Sequence, residues 1–208
     1  MANYVCMDLG GMSIKHGVGT GDGELLTSGV TPMIMAEVEL ETLLEQLVTI
    51  VRNYKKEYRL SGVAIATAGM VDTAKGTIVY SGAHFPTGYT GTNVKKYIEE
   101  NCKLNCTVEN DVNAAALGEY WLGSAQKKSL IFCITVGTGI GGALLYNGKL
   151  IHGSGQCTGE VGYTFMGEKN RWEDVASTAA LIQQVTADKH AAKGQITGEA
   201  IFELASED

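Results

Sequence analysis

Tyr4-Val5-Cys6-Met7-Asp8-Leu9-Gly10-Gly11-Met12-Ser13-Ile14-Lys15-His16-Gly17-Val18 sets two short apolar segments, Tyr4 to Leu9 and Ser13 to Val18, on either side of a glycine pair. Segments of that length beside a tight turn are expected to be strands. A third, Glu24 to Val30, follows the turn cluster Gly19 to Gly23, so residues 4 to 30 are predicted to form a meander. Further along, Leu43, Leu44, Leu47, Ile50, Val51, Tyr54 and Tyr58 recur at helical spacing and predict an amphipathic helix over Glu41 to Tyr58. Gly62 to Thr67 is then a buried strand running into the loop Ala68-Gly69-Met70. Strand, helix and strand in this order imply an α/β sheet.

The same alternation continues. Asn93 to Glu100 is expected to be helical, Cys106 to Glu109 a strand, and Val112 to Tyr120 a helix with Asp111 at the N-cap position. Leu130 to Val136 is a β-rich run leading into Gly137-Thr138-Gly139-Ile140-Gly141-Gly142, a strand Ala143 to Tyr146, and an Asn147-Gly148 hairpin turn before Lys149 to His152. From Ser177 onward the chain is Ala-rich and expected to be helical. Asp8 to Val18 and Thr135 to Leu145 echo one another as glycine-turned hairpins, a pattern that suggests a duplicated phosphate clamp but that chance also produces.

The composition excludes some functions. A formal charge of -7, from 16 Lys and Arg against 23 Asp and Glu, gives no electrostatic footprint for nucleic acid or an anionic membrane. No apolar run spans a bilayer and no signal peptide precedes Tyr4, so a cytoplasmic protein is expected. Five cysteines (Cys6, Cys102, Cys106, Cys133, Cys157) do not form a disulfide framework in a chain of this size, and most are expected to be buried thiols. The Cys102 to Cys106 spacing is not followed by a second ligand pair, and no metal is expected there.

Three segments carry chemistry. In Asp8-Leu9-Gly10-Gly11 the glycines let backbone N–H groups approach a phosphate, and a carboxylate beside them suits Mg2+; the plain alternative is a hairpin with a strand-end Asp. The stretch lacks the Walker A spacing, and no helix follows its glycines. In Glu109-Asn110-Asp111-Val112-Asn113 a carboxylate stands at a helix start, where it either faces a cleft or merely caps the helix. The glycine-dense run from Gly137 to Gly142 leaves unshielded amides for an oxyanion-rich ligand, though turn chemistry alone accounts for it. Glu173, by default, is a solvated carboxylate.

In order and spacing these segments resemble the ROK family of sugar kinases. The stretch from Gly137 to Gly162 is similar to the family signature over its full length, and Asp8-Leu-Gly-Gly, Ala68-Gly69-Met-Val-Asp72, Gly91-Thr-Asn93 and Glu109-Asn-Asp-Val-Asn-Ala-Ala-Ala116 match family blocks in the right order. The resemblance implies an α/β, two-lobed actin-like (ribonuclease H-like) ATPase fold, with an N-terminal lobe over residues 1–112 and a partial C-terminal lobe over 113–208. It implies a kinase moving the γ-phosphate of ATP to a hydroxyl, usually O-6, of a hexose such as glucose. By position, Asp111 is then the general base and a sugar contact, and Gly69, Asn93, Asn110, Glu160 and Glu173 also bind sugar. Gly10, Gly11 and Lys15 belong to one phosphate loop, Gly137, Thr138 and Gly139 to the other, and Asp8 to the Mg2+ shell. The expected partner is a small-molecule sugar, with a homodimer as the expected assembly.

Three departures from the family pattern qualify these expectations. Met12 stands where a Thr hydroxyl is usual, and Ser13 should point to the other strand face. Tyr163 replaces a His that commonly ligates zinc with downstream cysteines, and residues 164 to 175 contain no Cys, so no zinc is expected. Family members also continue into a segment that holds adenosine, whereas this chain ends at Asp208; a fragment, or a non-catalytic sugar-binding relative, is the alternative reading. Which sugar binds is left open, and the loop Ser81 to Tyr89 is unusual.

Overall fold

β1 (Asn3–Leu9) is the middle strand of a five-stranded sheet in the computed structural model, which describes residues 1–189, 194 and 196–205. It pairs antiparallel with β2 (Ser13–Thr20), which in turn pairs with β3 (Leu25–Pro32). The chain then crosses through α1 (Leu40–Glu57) to β4 (Leu60–Thr67), parallel to β1. The small hairpin β5 (Met70–Asp72) and β6 (Thr77–Tyr80) and the helix α2 (Val94–Cys102) lead to β7 (Cys106–Asn110), parallel to β4. The sheet order is therefore β3-β2-β1-β4-β7, and α3 (Asp111–Trp121) follows directly on its last strand.

One face of this sheet explains why these residues form these elements. Val5, Met7 and Leu9 of β1, Ile14 and Val18 of β2, Val63 and Ile65 of β4, and Val108 of β7 alternate along their strands and are all buried. Leu43, Leu47, Ile50 and Val51 of α1 and Val94 and Ile98 of α2 close over them in one core. Each fully buried aliphatic side chain contributes about 1.5–3 kcal/mol relative to exposure, so the pattern that predicts α1 also holds it in place. Lys55 and Lys56 in its last turn complement the helix dipole.

The chain divides into two compact units, residues 1–126 and 127–208. In the second, β8 (Leu130–Val136), β9 (Ile140–Tyr146) and β10 (Lys149–Leu150) form an antiparallel sheet. The two-residue strands β11 (Phe165–Met166) and β12 (Asn170–Arg171) pair, and α4 (Trp172–Ala176), α5 (Thr178–Asp188) and α6 (Gly198–Ala205) follow. The helical expectation from Ser177 onward holds over α5 and α6; residues 190–193, 195 and 206–208, which it also covered, lie outside the described residues. Among the described residues no helix is long and apolar enough to cross a membrane.

Several local expectations are corrected. The N-cap of α3 is Asn110, not Asp111: Asn110 is extended (φ -62, ψ 144) and its side chain accepts from the Asn113 N–H, which makes Asp111 the first helical residue. Likewise α2 starts at Val94, with Asn93 as its cap. The glycine loop after β8 is shorter than its composition suggests, because Gly141 and Gly142 lie inside β9; the carbonyl of Gly159 passes so close to Gly142 that a side chain there has no room. Only Cys102 and Cys106 are buried, whereas Cys6 and Cys157 are exposed and Cys133 is intermediate. The hairpin β5–β6 carries no strong sequence pattern and is seen only in the fold.

Candidate functional site

Leu9, Thr67 and Asn110 stand side by side in register across the parallel strands β1, β4 and β7. The carboxyl ends of these three strands therefore reach one sheet edge, the place where open α/β sheets bind ligands. Three sequence segments meet there: Gly10 and Gly11 after β1, Ala68 and Gly69 after β4, and Asn110 with Asp111 after β7.

Asn110 joins two of them. Its Oδ1 accepts from the Asn113 N–H at 3.0 Å, and its Nδ2 donates to the Gly69 carbonyl at 3.0 Å and to Asp111 Oδ1 at 3.1 Å. The residue is 9% exposed, so each of these bonds stands in for water that a buried amide would lack. Glu109 supports the junction: its Oε1 accepts from the Asn110 N–H at 2.8 Å and from Asn113 Nδ2 at 3.0 Å. Neither Glu109 nor Asn113 is picked out by sequence as a positioning residue, although their i, i+4 spacing across the strand-helix junction is compatible with it.

Asp111 accepts from the Val112 N–H at 3.0 Å as well as from Asn110, both on Oδ1. Burial pushes its pKa above the ordinary Asp value of 3.8; the Val112 N–H pulls it back, and the negative charge of nearby Asp8 adds to the rise. A carboxylate with raised proton affinity, held by amides at one oxygen, is a competent proton acceptor.

Gly69 has φ +103, and a Cβ on it would collide with the Tyr80 carbonyl and lie 3.3 Å from Ser81 Cα. Only glycine fits this corner, which fixes the carbonyl that Asn110 grips. Asp8 is register partner of Lys15 on β2, and the two side chains pair loosely at 3.9 Å with 46% and 70% exposure. Gly10 N–H donates to the Ser13 carbonyl at 3.0 Å to close the turn, Gly11 O accepts from the Met35 N–H, and Met12 projects outward at 76% exposure. Asn93 stands apart from this group in its bonding: its Oδ1 accepts from the Lys96 N–H at 2.8 Å, and its backbone bridges to Thr77.

In the second unit, Gly137-Thr138-Gly139 connects β8 to β9 with three residues, as Gly10-Gly11-Met12 connects β1 to β2. Gly137 N–H donates to the Gly139 carbonyl and Gly137 O accepts from the Thr178 N–H, each at 2.9 Å, which anchors the loop to the start of α5. Glu173 is not a solvated carboxylate: its side chain is 21% exposed, pairs with Arg171 Nη1 at 3.1 Å, and lies over the glycines, so that a Cβ on Gly139 would come 2.9 Å from Oε2. Glu160 and Glu173 flank the 3-10 turn Val161–Tyr163, whose Tyr163 N–H donates to the Glu160 carbonyl.

Where the sequence departs from the zinc pattern, the Arg171 guanidinium lies 5.2 Å from the centre of the Tyr163 ring and pairs with Asp174 at 2.8 Å. Among the described residues no three His, Cys, Asp or Glu side chains group to hold a metal.

The ROK family model matches residues 4–208. An uncharacterised protein of Clostridium perfringens is 39% identical over 203 residues, 98% of this chain and 68% of its own length. A β-glucoside kinase of Listeria innocua is 33% identical over 158 residues, 76% of this chain and 51% of its own length, so the match spans about half of that relative. Among solved structures, a ROK family glucokinase from Streptomyces griseus in complex with glucose and AMPPNP superposes with a TM-score of 0.84 at 26% identity, covering 99% of this chain and 72% of the other. The mixed α/β architecture with its central sheet is that of ROK sugar kinases of the actin-like ATPase fold. With the family model matched from the first strand onward, this chain belongs to the ROK family.

Proposed function

We propose that the chain carries the acceptor-binding and phosphate-binding parts of an ATP-dependent sugar kinase, which moves the γ-phosphoryl group of ATP to a hydroxyl of a hexose or hexose derivative such as glucose, with O-6 as the accepting oxygen. The observation that carries this reading is the Asp111 carboxylate at the sheet edge, raised in pKa and held at Oδ1 by two amides. In this reading the residues 1–112 supply the base, the first phosphate loop and the sugar contacts Gly69, Asn93 and Asn110. Residues 113–208 supply the second loop and the sugar contacts Glu160 and Glu173.

Asp111 Oδ2 takes the proton of the acceptor hydroxyl, a general-base role worth about 10²–10⁴ in rate. Asn110 holds that carboxylate by Nδ2 and is tied to the acceptor loop at Gly69, so base and acceptor are positioned by one side chain. Asn93, whose Oδ1 caps α2, has its Nδ2 for a sugar hydroxyl.

Two residues support the fit of polyphosphate. A Cβ built on Gly11 or on Gly137 meets no protein atom within 4 Å, and neither has a left-handed φ. The fold itself does not require glycine there; an approaching ligand would. Asp8, which pairs loosely with Lys15 at 3.9 Å, offers the hard donor that Mg2+ takes, and Lys15 offers a cation to phosphate. When bound, Mg2+ and ATP supply the transferred group and the neutralisation of its charge. Zinc has no part in this reading, with Arg171 bridging Tyr163, Glu173 and Asp174 instead.

The test is a coupled ADP-release assay with glucose, ATP and Mg2+, run beside glucose-binding calorimetry on wild type and Asp111→Asn. The substitution should leave glucose binding within about threefold and cut turnover at least about 100-fold. Turnover near wild type would remove Asp111 from the base role; glucose binding without any ADP release by wild type would replace the kinase reading with a sugar-binding one.

A further inference from the structure

Arg171, the last residue of β12 and the cap of α4, divides its guanidinium among three partners. Nε and Nη2 donate to Asp174 Oδ2 and Oδ1 at 3.1 and 2.8 Å, Nη1 pairs with Glu173 Oε1 at 3.1 Å, and Cζ lies 5.2 Å from the centre of the Tyr163 ring. We propose that Arg171 is a positioning residue for sugar binding. It fixes Glu173 by one carboxylate oxygen, so that the other is already ordered for a sugar hydroxyl, and it makes the affinity for an uncharged sugar depend on ionic strength. The inference rests on the reading in which Glu173 contacts the sugar, and adds to it what holds that contact.

Geometry is the first argument. Asp174 takes two nitrogens of the fork, which sets the plane of the guanidinium. The Arg171 N–H donates to the same Asp174 Oδ2 at 2.9 Å, so backbone and side chain are tied to one carboxylate. Nη1 is thereby aimed at Glu173. The two oxygens of Glu173 then have different surroundings: Oε1 meets Arg171, whereas Oε2 lies against the glycines, 2.9 Å from where a Cβ would stand on Gly139 and 3.3 Å from where one would stand on Gly162.

Energetics is the second. A glutamate side chain has several rotatable bonds, and freedom that is still present in the unliganded protein is lost on binding. A partner that removes it beforehand raises affinity. One exposed ion pair is too weak to do so, but here a two-pronged pair, a second carboxylate and a ring act on the same guanidinium. Glu173 is also the least exposed of the three charged groups.

Chemistry is the third. A planar fork can serve Asp174 and Glu173 together, which the point charge of a lysine does not. Because Glu173 is paired, covering it with a neutral ligand leaves no uncompensated carboxylate. The pair remains partly open to solvent, so salt screens it. A neutral sugar has no charge for salt to act on, and a salt dependence of its binding has to come through the protein.

The test is glucose-binding calorimetry on wild type, Arg171→Met, Glu173→Gln and the double variant, in about 0.1 M and about 1 M KCl, between which the screening length falls from about 10 Å to about 3 Å. Arg171→Met should weaken glucose at least about 5-fold in the wild-type background and add nothing in the Glu173→Gln background. Wild-type affinity should fall about 2- to 3-fold at the higher salt, and that of Glu173→Gln should not change. A role confined to holding the turn together predicts the same loss in both backgrounds, and that result would overturn the proposal. Salt-independent binding by wild type would overturn it too, and the salt series on wild type and the nearly isosteric Glu173→Gln decides the matter if Arg171→Met does not fold. If Glu173→Gln binds glucose as wild type does, Glu173 is no sugar contact and the inference falls while the role of Asp111 stands. If wild type binds no glucose, the sugar reading fails and takes the inference with it.

Discussion

Asn110 donates its side-chain amide to the carbonyl of Gly69, 41 residues earlier in the chain, at 3.0 Å. That bond, together with the one to Asp111, makes a helix cap into the part that aligns a proton acceptor with an acceptor loop. Because the amide is almost fully buried, its loss leaves unpaired groups that water does not reach.

Asn110→Ala should therefore cost more than an ordinary cap. Loss of the cap is worth about 1 kcal/mol, and the unpaired Gly69 carbonyl adds about 1–3 kcal/mol. Urea unfolding should show a drop within the sum of these ranges; a change under about 0.5 kcal/mol would mean that the tie to Gly69 contributes nothing.

Asp111→Asn should have opposite effects on turnover and on stability. A folded-state pKa above 3.8 means that the native protein binds the Asp111 proton more tightly than the unfolded chain does. Ionising Asp111 therefore costs stability, a cost absent below pH 3.8 and fully present above the raised pKa. Asn removes it, so the variant should be as stable as wild type or more so at pH 7, with the difference vanishing in acid. In the active enzyme, turnover should rise with pH on a limb above the ordinary carboxylate range. A variant less stable at pH 7 than in acid, relative to wild type, would contradict this assignment.

Gly11 and Gly69 should fail differently. Gly69→Ala forces a side chain into a left-handed backbone and against the Tyr80 carbonyl, and should lower stability by about 1–3 kcal/mol. Gly11→Ala meets no protein atom and should leave the melting temperature nearly unchanged, yet weaken ATP at least about 10-fold as read by nucleotide titration, because its methyl occupies the approach to the loop amides. Equal nucleotide affinity in Gly11→Ala would show that the first glycine loop does not cradle phosphate.

A zinc chelator should not shift the melting temperature of the protein. The segment around Tyr163 is held by the Arg171 pairs and its contact with the ring, none of which a chelator touches. A chelator-induced drop of several degrees, reversed by added zinc, would reveal a metal site.

Much of the fold was legible because its signals are local. The spacing of Leu43, Leu47, Ile50 and Val51 predicts α1 to within a residue at each end, since burying that face is also what forms the helix. The strands around Gly10-Gly11 and Gly137-Thr138-Gly139 follow from apolar runs meeting tight turns. The role of Asn110 was not legible in the same way. Asn-Asp at a helix start has two possible caps of nearly equal propensity; here the Asn amide is also taken by the Gly69 carbonyl, and Asp111 is left as the first helical residue.

By itself, then, the order of apolar runs, glycines and the Glu109-Asn110-Asp111 segment determined an α/β sheet with glycine turns at its strand ends and a carboxylate at a helix start, because these depend on neighbours within a few residues. Tertiary structure alone decided that Gly69 sits under Asn110, that burial and then the charge of Asp8 raise the pKa of Asp111, and that Glu173 lies over Gly139. Those relations join residues from tens to about a hundred positions apart, and burial in a shared environment, which no local pattern encodes, is what gives them their energy.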